Sequence, residues 1–325
     1  MDIKAIGGEF ALIDRLQKIV DTQQAGVIKG IGDDAAVLKV APEPAPYLLA
    51  TTDILVDGKH FKRNWATAEQ IGIKTAECNI SDIAAMGGHP QWMFTSIILP
   101  ADTQVDWVEE LYRGMHQSCS AYGIALLGGD TTQGELLSVT ITLLGSVSPD
   151  YLCLRSHAQI NDHIMVTGPL GASAAALATL KTGRKPSQYL LKKHLTPRSR
   201  MDAVDHIAPV ANAMIDISDG LAAEVQHICR QSHVGAQINA SLIPIHPEVK
   251  KTATDHSINP LEWALGGGED FELLFTISSE NIALLKNSNI SCYDIGRITK
   301  DKDQILLITP EGNMEPLVGG YNHFR

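Results

Sequence analysis

Cysteines, aromatic residues and long apolar runs are all sparse in this 325-residue sequence. The five cysteines are scattered, and none has Cys-x-x-Cys spacing, which argues against a zinc site or a disulfide framework. No segment stays apolar for the roughly 18 residues that a membrane span needs, and the first ten residues lack the apolar stretch of a signal peptide. A reducing cytoplasm is therefore the expected location, and a membrane is not an expected partner.

Positive charge is also in short supply, because 26 lysines and arginines face 37 aspartates and glutamates, for a formal net charge of −11. Such a surface repels nucleic-acid backbones and anionic lipid. Nucleic acid is thus not an expected partner. A phosphate ligand would require metal ions or a local basic pocket.

Two common phosphate-binding signatures are missing or misplaced. The sequence contains no Gly-x-x-x-x-Gly-Lys-Ser/Thr loop. Residues 30–35 formally match the dinucleotide pattern Gly-x-Gly-x-x-Ala, but a strand-like run follows instead of a helix, and two carboxylates would face the pyrophosphate. The dinucleotide fingerprint is therefore rejected.

Apolar periodicity in the first half indicates alternating helices and strands. Helices are predicted over residues 9–20, 69–86 and 106–122, and the last two end at glycines. Strands are predicted over residues 35–40, 47–56, 93–99, 124–127 and 136–147.

A polar, turn-rich stretch over residues 148–161 predicts a domain boundary near residue 150, which gives domains of 1–150 and 151–325. The second half has predicted helices from about 172 to 181 and over 220–231, with strands over 163–167, 235–239, 272–277 and 304–309. The interleaving predicts two domains of the α+β or α/β class.

Aspartates recur at the edges of apolar runs, flanked by glycine or hydroxyl residues. They are Asp33, Asp34, Asp53, Asp82, Asp130, Asp216 and Asp219. Any one alone is more often a turn residue or a helix cap. Because strand ends gather at one edge of a sheet, the set predicts a shared site. Oxygen ligands without histidine or thiolate favour a hard cation such as Mg²⁺ together with a nucleotide.

Several motifs, in order along nearly the whole chain, resemble those of the thiamine-monophosphate kinase family. They are residues 32–36 (GDDAA), 51–61 (TTDILVDGKHF), 79–87 (NISDIAAMG), 128–132 (GGDTT), 217–220 (ISDG) and 267–273 (GGEDFEL). The opening residues 8–10 and the closing residues 320–324 fit the same family.

The resemblance implies a homodimer whose N-terminal α/β domains pair their sheets, each followed by a C-terminal domain of the aminoimidazole ribonucleotide synthetase type. It implies ATP as co-substrate, several Mg²⁺ ions and thiamine monophosphate as acceptor. The implied metal-associated residues are Asp34, Thr51, Thr52, Asp53, Asp82, Asp130, Asp216 and Asp219. The implied ATP contacts are Tyr112, Gly129, Asp130, Arg155 and Ser218. The implied contacts to the thiamine substrate are His60, Glu269 and Tyr321.

No catalytic base is expected, because a phosphate monoester with a second pKa of about 6 is already a nucleophile at neutral pH. The chain departs from the family after Arg155, where Gln159 to Asp162 replaces the usual Lys-Pro-Gly-Asp turn. This departure bears on the placement of Arg155.

Two alternatives remain open: an aminoimidazole ribonucleotide synthetase-like enzyme that uses ATP to close a ring, and a non-catalytic protein that binds divalent metal. Selenophosphate synthetase is disfavoured because no cysteine precedes Cys78, and the hydrogenase-maturation relative because the chain does not end in cysteine.

Overall fold

A computed structural model describes residues 3, 5–18, 25–42, 44–286 and 288–321, without the side chains of Phe10 and Lys286. Within those ranges, no helix combines the length and the hydropathy that crossing a bilayer demands. The cytoplasmic location stays a prediction.

The first half of the chain forms a six-stranded sheet with the strand order β1-β2-β3-β6-β4-β5. Its strands are β1 (Val27–Lys29), β2 (Ala36–Leu38), β3 (Tyr47–Val56), β4 (His89–Leu99), β5 (Ala125–Gln133) and β6 (Ser138–Val147). The helices of this half are α1 (Glu9–Gln17), α2 (Ala68–Ala85) and α3 (Val105–Tyr122). Strand β5 lies at an edge and pairs in parallel with β4, whereas the other pairs are antiparallel.

Helices α2 and α3 lie close together because glycines face the opposite backbone. A Cβ atom on Gly72 would lie 2.0 Å from the backbone oxygen of Leu111, and one on Gly114 would lie 2.0 Å from that of Glu69. Helix α2 begins with a capping box in which the side chains of Thr67 and Gln70 each bond the other's backbone N–H. The two helices therefore form one rigid layer.

The second half forms a seven-stranded sheet with the order β13-β12-β9-β11-β7-β10-β8. Its strands are β7 (His163–Val166), β8 (Ala211–Asp216), β9 (Gly235–Asn239), β10 (Leu273–Ile277), β11 (Tyr293–Thr299), β12 (Ile305–Ile308) and β13 (Met314–Pro316). Its helices are α4 (Ala172–Lys181), α5 (Gln188–Leu195), α6 (Met201–Ile207), α7 (Leu221–Ser232), α8 (Pro247–His256), α9 (Pro260–Gly266) and α10 (Ile282–Lys286).

Helix α2 contributes to the cores of both halves. Its residues Ile80 and Ile83 belong to the core of the first sheet. Its last residues, Ala84 and Ala85, belong to a cluster that includes Phe275 of the second sheet. A shift of α2 would therefore disturb both sheets at once.

Most of the predicted elements are confirmed, including β3 and β9 with their predicted bounds. The prediction that a strand stops at residue 127 is wrong, because β5 continues through the glycine pair to Gln133. Residues 19–20 of the first predicted helix lie outside the described residues. The boundary near residue 150 stays a prediction; the first sheet ends at Val147 and the second begins at His163.

Several elements of the second half were not predicted from the sequence: α5, α6, β8, α8, α9, α10, β11 and β13. The helices among them have at most ten residues, too few for a clear apolar period. Strand β11 contains Gly296, where a Cβ would lie 2.2 Å from the backbone oxygen of Gln237. Such a close approach is a tertiary requirement that periodicity does not reveal.

We expect Gly114→Ala to destabilise the protein by about 1–3 kcal/mol, because overpacking against the Glu69 backbone outweighs the higher helix propensity of alanine. Chemical unfolding followed by circular dichroism would measure the change. Gln117→Ala, at an exposed position of the same helix, is the matched control and should stay close to wild type. A Gly114→Ala protein as stable as wild type would contradict the packing argument.

Candidate active site

Three carboxylates meet between the two halves of the chain. Oxygen atoms of Asp34, Asp82 and Asp216 lie within 4.8 Å of one another. Asp34 comes from the loop before β2, Asp82 from the last turns of α2, and Asp216 from the end of β8. Elements far apart in sequence thus place three negative groups in a volume that one cation could fill.

Hydroxyl and amide side chains hold these carboxylates and their neighbours in place. Thr51 Oγ1 donates to Asp82 Oδ2 at 2.6 Å, and Ser81 Oγ donates to Asp216 Oδ2 at 2.6 Å. The buried Asn79 accepts a hydrogen bond from the backbone N–H of Asp53 at 3.1 Å. Helix α2 therefore orients acidic residues of both sheets.

Burial and mutual repulsion disfavour the charged forms of these groups. Burial, followed by the nearby Asp53 and Asp216, raises the pKa of Asp82 well above its usual range. Burial, followed by Asp34, does the same to the pKa of Asp216. Burial and then Asp34 and Glu9 raise the pKa of Asp53 to about 6, and burial and then Glu9 raise that of Asp219 to about 7. A bound cation would relieve this repulsion.

Two basic side chains offset part of the negative charge. Arg155 donates to both oxygens of Asp34, at 2.6 and 3.2 Å, and its Nε lies 3.5 Å from Asp33. Lys29 lies 3.2 Å from Asp33 Oδ2 and donates to Gln231. The Asp34 contact is bidentate, the strong geometry for a guanidinium and a carboxylate.

A groove of about 420 Å³ reaches this group at Asp34 and is also lined by Lys29, Asp33, Thr51 and Thr52 among others. The donors around it are carboxylate and hydroxyl oxygens, which suit Mg²⁺ or a similar hard cation. Asp34, Asp82 and Asp216 could hold such an ion. The residues present therefore fit the predicted metal.

The structure corrects the predicted arrangement of the aspartates. Asp53 lies within β3, Asp82 within α2 and Asp130 within β5, so the expectation that they sit at strand ends is wrong for these three. Asp34 precedes β2 and Asp216 ends β8, as expected. Tertiary packing brings the carboxylates together without a shared strand edge.

Asp130 and Gly129 lie away from the three carboxylates. Residues Asp53, Ile141, Thr95 and Gly129 are aligned across β3, β6, β4 and β5. Three strand spacings separate Asp53 from Gly129, or roughly 14 Å. The predicted convergence of Asp53, Asp82 and Asp130 is therefore not found within one chain. Gly129 suits its position because a Cβ there would lie 1.7 Å from the Thr95 backbone oxygen.

Thr52 and Tyr112 are also placed apart from the three carboxylates. Thr52 is exposed and its hydroxyl donates to the backbone oxygen of Ile141, while its neighbours Thr51 and Asp53 face α2 by strand alternation. Tyr112 is half-buried on α3 and packs against the first core.

Two of the predicted substrate contacts, His60 and Glu269, approach each other beside Lys74 in the first half of α2. Lys74, two turns before Asp82, contacts the Glu269 carboxylate at 2.8 Å and donates to the backbone oxygen of His60 at 3.0 Å. The Tyr321 backbone N–H donates to the Asp219 oxygen at 2.9 Å, and Lys59 Nζ lies 5.9 Å from the centre of the Tyr321 ring. Residues 322–324 of the closing motif lie outside the described residues.

Ser218 and Asp219 form the turn between β8 and α7. The Ser218 backbone oxygen accepts from the Glu269 N–H at 2.7 Å, and a Cβ on Gly268 would lie 2.5 Å from that same oxygen. Asp219 N–H donates to the buried Glu224 at 2.9 Å. The two motifs 217–220 and 267–273 are thus in direct backbone contact.

Sequence reasoning missed Lys74, Lys29 and Glu224, and did not single out Asn79 and Ser81 within their motif. The spacing of residues along α2 offered a signal for Lys74. It precedes Cys78 by four residues and Asp82 by eight, and this spacing places the three residues on one face of a helix. No comparable signal marks Lys29 or Glu224, whose partners are distant in sequence.

Without metal, we expect stability to fall as the pH rises from about 4 to about 7. A carboxyl whose folded-state pKa is raised stabilises the fold when protonated, and this contribution is lost on ionisation; for Asp53 the window runs from 3.8 to about 6. Asp53→Asn should lose about 3 kcal/mol less than wild type across this range, and Asp53→Glu should behave like wild type. Thermal unfolding in chelator would measure this, and an unchanged pH dependence in Asp53→Asn would contradict it.

The chain matches two family models: the AIR synthase related protein N-terminal domain over residues 32–147 and the corresponding C-terminal domain over residues 159–308. The thiamine-monophosphate kinase of Buchnera aphidicola subsp. Acyrthosiphon pisum is 39% identical over 97% of this chain and 98% of its own length. That of Aquifex aeolicus is 35% identical over 98% of both chains.

A solved structure described as AaThiL complexed with AMPPCP and TMP is similar in fold over 100% of this chain and 99% of its own, with a TM-score of 0.88 and 34% identity. The similarity therefore extends across both sheets and the carboxylates between them. On these grounds, the chain belongs to the thiamine-monophosphate kinase family of enzymes.

Proposed function

We propose that this protein transfers the terminal phosphate of ATP to thiamine monophosphate and so produces thiamine diphosphate. The observation that carries the proposal is the group of Asp34, Asp82 and Asp216, which come from both halves of the chain and whose oxygens lie within 4.8 Å of one another. The substrates follow from the relatives, which are named thiamine-monophosphate kinase, and from the neighbour solved with AMPPCP, an ATP analogue, and TMP.

The chemistry explains why a site for anions is built from acids. Two groups of charge −2 at 4 Å repel by roughly 16 kcal/mol at an effective dielectric constant of 20. Mg²⁺ ions held by the carboxylates would offset this repulsion and keep the attacking and leaving oxygens in line. The acceptor monoester is mostly dianionic at neutral pH, so no protein base is required.

The residues divide into three proposed groups. Asp34, Asp53, Asp82, Asp216 and Asp219 would hold the metal ions with Thr51, Thr52 and Asp130. Arg155 and Ser218 would contact ATP together with Tyr112 and Gly129. His60, Glu269 and Tyr321 would contact the thiamine moiety.

The alternatives lack comparable support. A ring-closing synthetase would share the fold and the ATP site, but relatives matched over nearly their whole length are named as kinases. A non-catalytic metal-binding protein would not need Arg155 and Lys29 beside its carboxylates, since each cation weakens metal binding.

We further propose that the protein acts as a homodimer whose first sheets pair face to face. The face of this sheet opposite α2 and α3 carries large exposed apolar side chains: Ile54 (52% exposed), Trp92 (42%), Phe94 (39%) and Ile98 (38%). Neighbouring exposed apolar residues on one surface are typical of an interface. A second copy of this chain is the occupant that the family resemblance implies.

The dimer also accounts for the scattered site residues. Thr52 and Asp130 are both exposed, and by strand alternation and register both point toward the open face. A two-fold axis parallel to the strands would reverse the strand order across the interface and lay β5 of one copy over β3 of the other. Asp130 of one copy would then lie level with Ile54, the neighbour of Asp53, in its partner.

The activity test is ADP formation from ATP and Mg²⁺ with each acceptor in turn. We expect turnover with thiamine monophosphate and little with free thiamine, which lacks the nucleophilic phosphate. Turnover with formylglycinamidine ribonucleotide would favour the synthetase instead. Equal or faster use of free thiamine would contradict the proposal.

The shared-site proposal predicts complementation between inactive variants. Asp53→Asn and Asp130→Asn should each lose most activity alone, because each damages every site. Mixed and allowed to exchange subunits, they should recover about a quarter of wild-type activity, since half of the dimers are mixed and each mixed dimer has one intact site. The control is a mixture of Asp53→Asn with Asp82→Asn. Asp53 on β3 and Asp82 on α2 serve the same site from the same chain, so every site in a mixed dimer is damaged and the mixture should stay inactive. Failure of the first mixture to recover, with exchange verified, would place the whole site in one chain.

A further inference from the structure

Lys74 is a lysine whose side chain is almost completely buried at the active site. Its residue exposure is 2%, and it lies on the α2 face that also carries Asp82. The ammonium group contacts Glu269 Oε1 at 2.8 Å, Glu269 Oε2 at 2.9 Å and the backbone oxygen of His60 at 3.0 Å. Three acceptors match its three N–H donors, so the ammonium is fully committed to protein groups.

Glu269 is held in an unusual conformation. Its φ of 55° lies in the left-handed region, which costs free energy for a residue with a side chain. Its N–H donates to Ser218, and its carboxylate accepts from Ser173 at 3.3 Å and lies 3.4 Å from His194. Although burial alone would raise the pKa of Glu269, Lys74 and His194 hold it well below its usual range. The side chain remains 29% exposed, so one part of it is still open to contact from outside the protein.

His60 is held by residues of its own half of the chain, the first. It follows β3, and its Nδ1 accepts a hydrogen bond from the Val56 N–H at 3.0 Å. Glu269 lies in the turn after α9, in the second half. Lys74 is therefore the side chain that links the loop of His60 to the loop of Glu269.

We propose that Lys74 is a positioning residue for the acceptor substrate: it sets the spacing between His60 and Glu269 so that both can contact one molecule of thiamine monophosphate. This proposal rests on the proposed function. Because the ammonium has no donor left, Lys74 acts through these two residues without touching the substrate. Loss of Lys74 should weaken acceptor binding and leave ATP binding at the other end of α2 largely unchanged.

The competing explanation is that Lys74 and Glu269 form only a stabilising ion pair. The chain offers a matched control in Lys193, which contacts Glu272 at 2.8 Å. Glu272 lies three residues after Glu269 in the motif 267–273. Arg200 also contacts Glu272, at 2.7 Å, so that carboxylate stays paired when Lys193 is removed. Lys193 has no proposed role in binding either substrate.

The experiment compares steady-state kinetics of Lys74→Met, Lys193→Met and wild type with thiamine monophosphate and ATP varied separately. For Lys74→Met we expect the KM for thiamine monophosphate to rise about tenfold or more, with the KM for ATP within about twofold of wild type. Lys193→Met should keep both KM values within about twofold of wild type. Equal effects of Lys74→Met on both KM values, or none on the acceptor, would overturn the proposal.

A double-mutant cycle tests whether Lys74 acts through Glu269. Adding Lys74→Met to Glu269→Gln should raise the acceptor KM by less than about threefold further, because the positioned group is already altered. Losses that multiply would contradict the proposal. If Lys74→Met does not fold, the double variant still supplies the test, since it removes both charges. Its acceptor KM should match that of Glu269→Gln, and a much higher value would overturn the proposal.

Wild-type turnover separates the two proposals. An active wild type with an unaltered acceptor KM in Lys74→Met rejects the positioning role and leaves the kinase function intact. A wild type that does not turn over ATP with thiamine monophosphate rejects the proposed function, and the positioning role with it.

Discussion

Repulsion among carboxylates in a confined space is the constraint on which the rest of the site depends. Asp34, Asp82 and Asp216 come from a loop, a helix and a strand end, and folding brings their oxygens within 4.8 Å. Such an arrangement works against stability and persists because the surrounding structure fixes it. Ser81, Thr51 and Arg155 supply hydrogen bonds that hold the charges in place. The fold therefore holds three carboxyl groups in position for a cation, whose binding would favour their charged forms.

Helix α2 is the element that connects this charge to the rest of the molecule. Its buried face passes from Lys74, beside the predicted acceptor contacts, to Asp82, beside the predicted metal ions, a distance of about 12 Å along a straight helix. Its position is fixed at Gly72 by close packing on α3 and at Ala84 by the second core. One rigid helix thus sets the distance between the two ends of the site.

The sequence allowed the two-domain class, most strands and the family to be predicted, because apolar periods and the motifs are local features. The motifs over residues 51–61 and 79–87 are each an unbroken run of sequence, so Thr51 and Asp82 could both be proposed from them. The placement of Asp130 could not be predicted, since Gly128 and Gly129 suggest a turn whereas β4 recruits them into a strand. Lys74 was missed because its role depends on Glu269, which lies 195 residues away.

The bidentate contact between Arg155 and Asp34 affects how strongly the three carboxylates attract a cation. The guanidinium uses one lone pair on each carboxylate oxygen, and the remaining lone pairs lie within a few ångströms of its positive charge. An incoming ion must overcome that repulsion through its own attraction to three carboxylates, which grows with its charge. The repulsion from the guanidinium grows with the charge of the ion in the same proportion. Arg155 therefore lowers the attraction of the three carboxylates for monovalent and divalent cations alike.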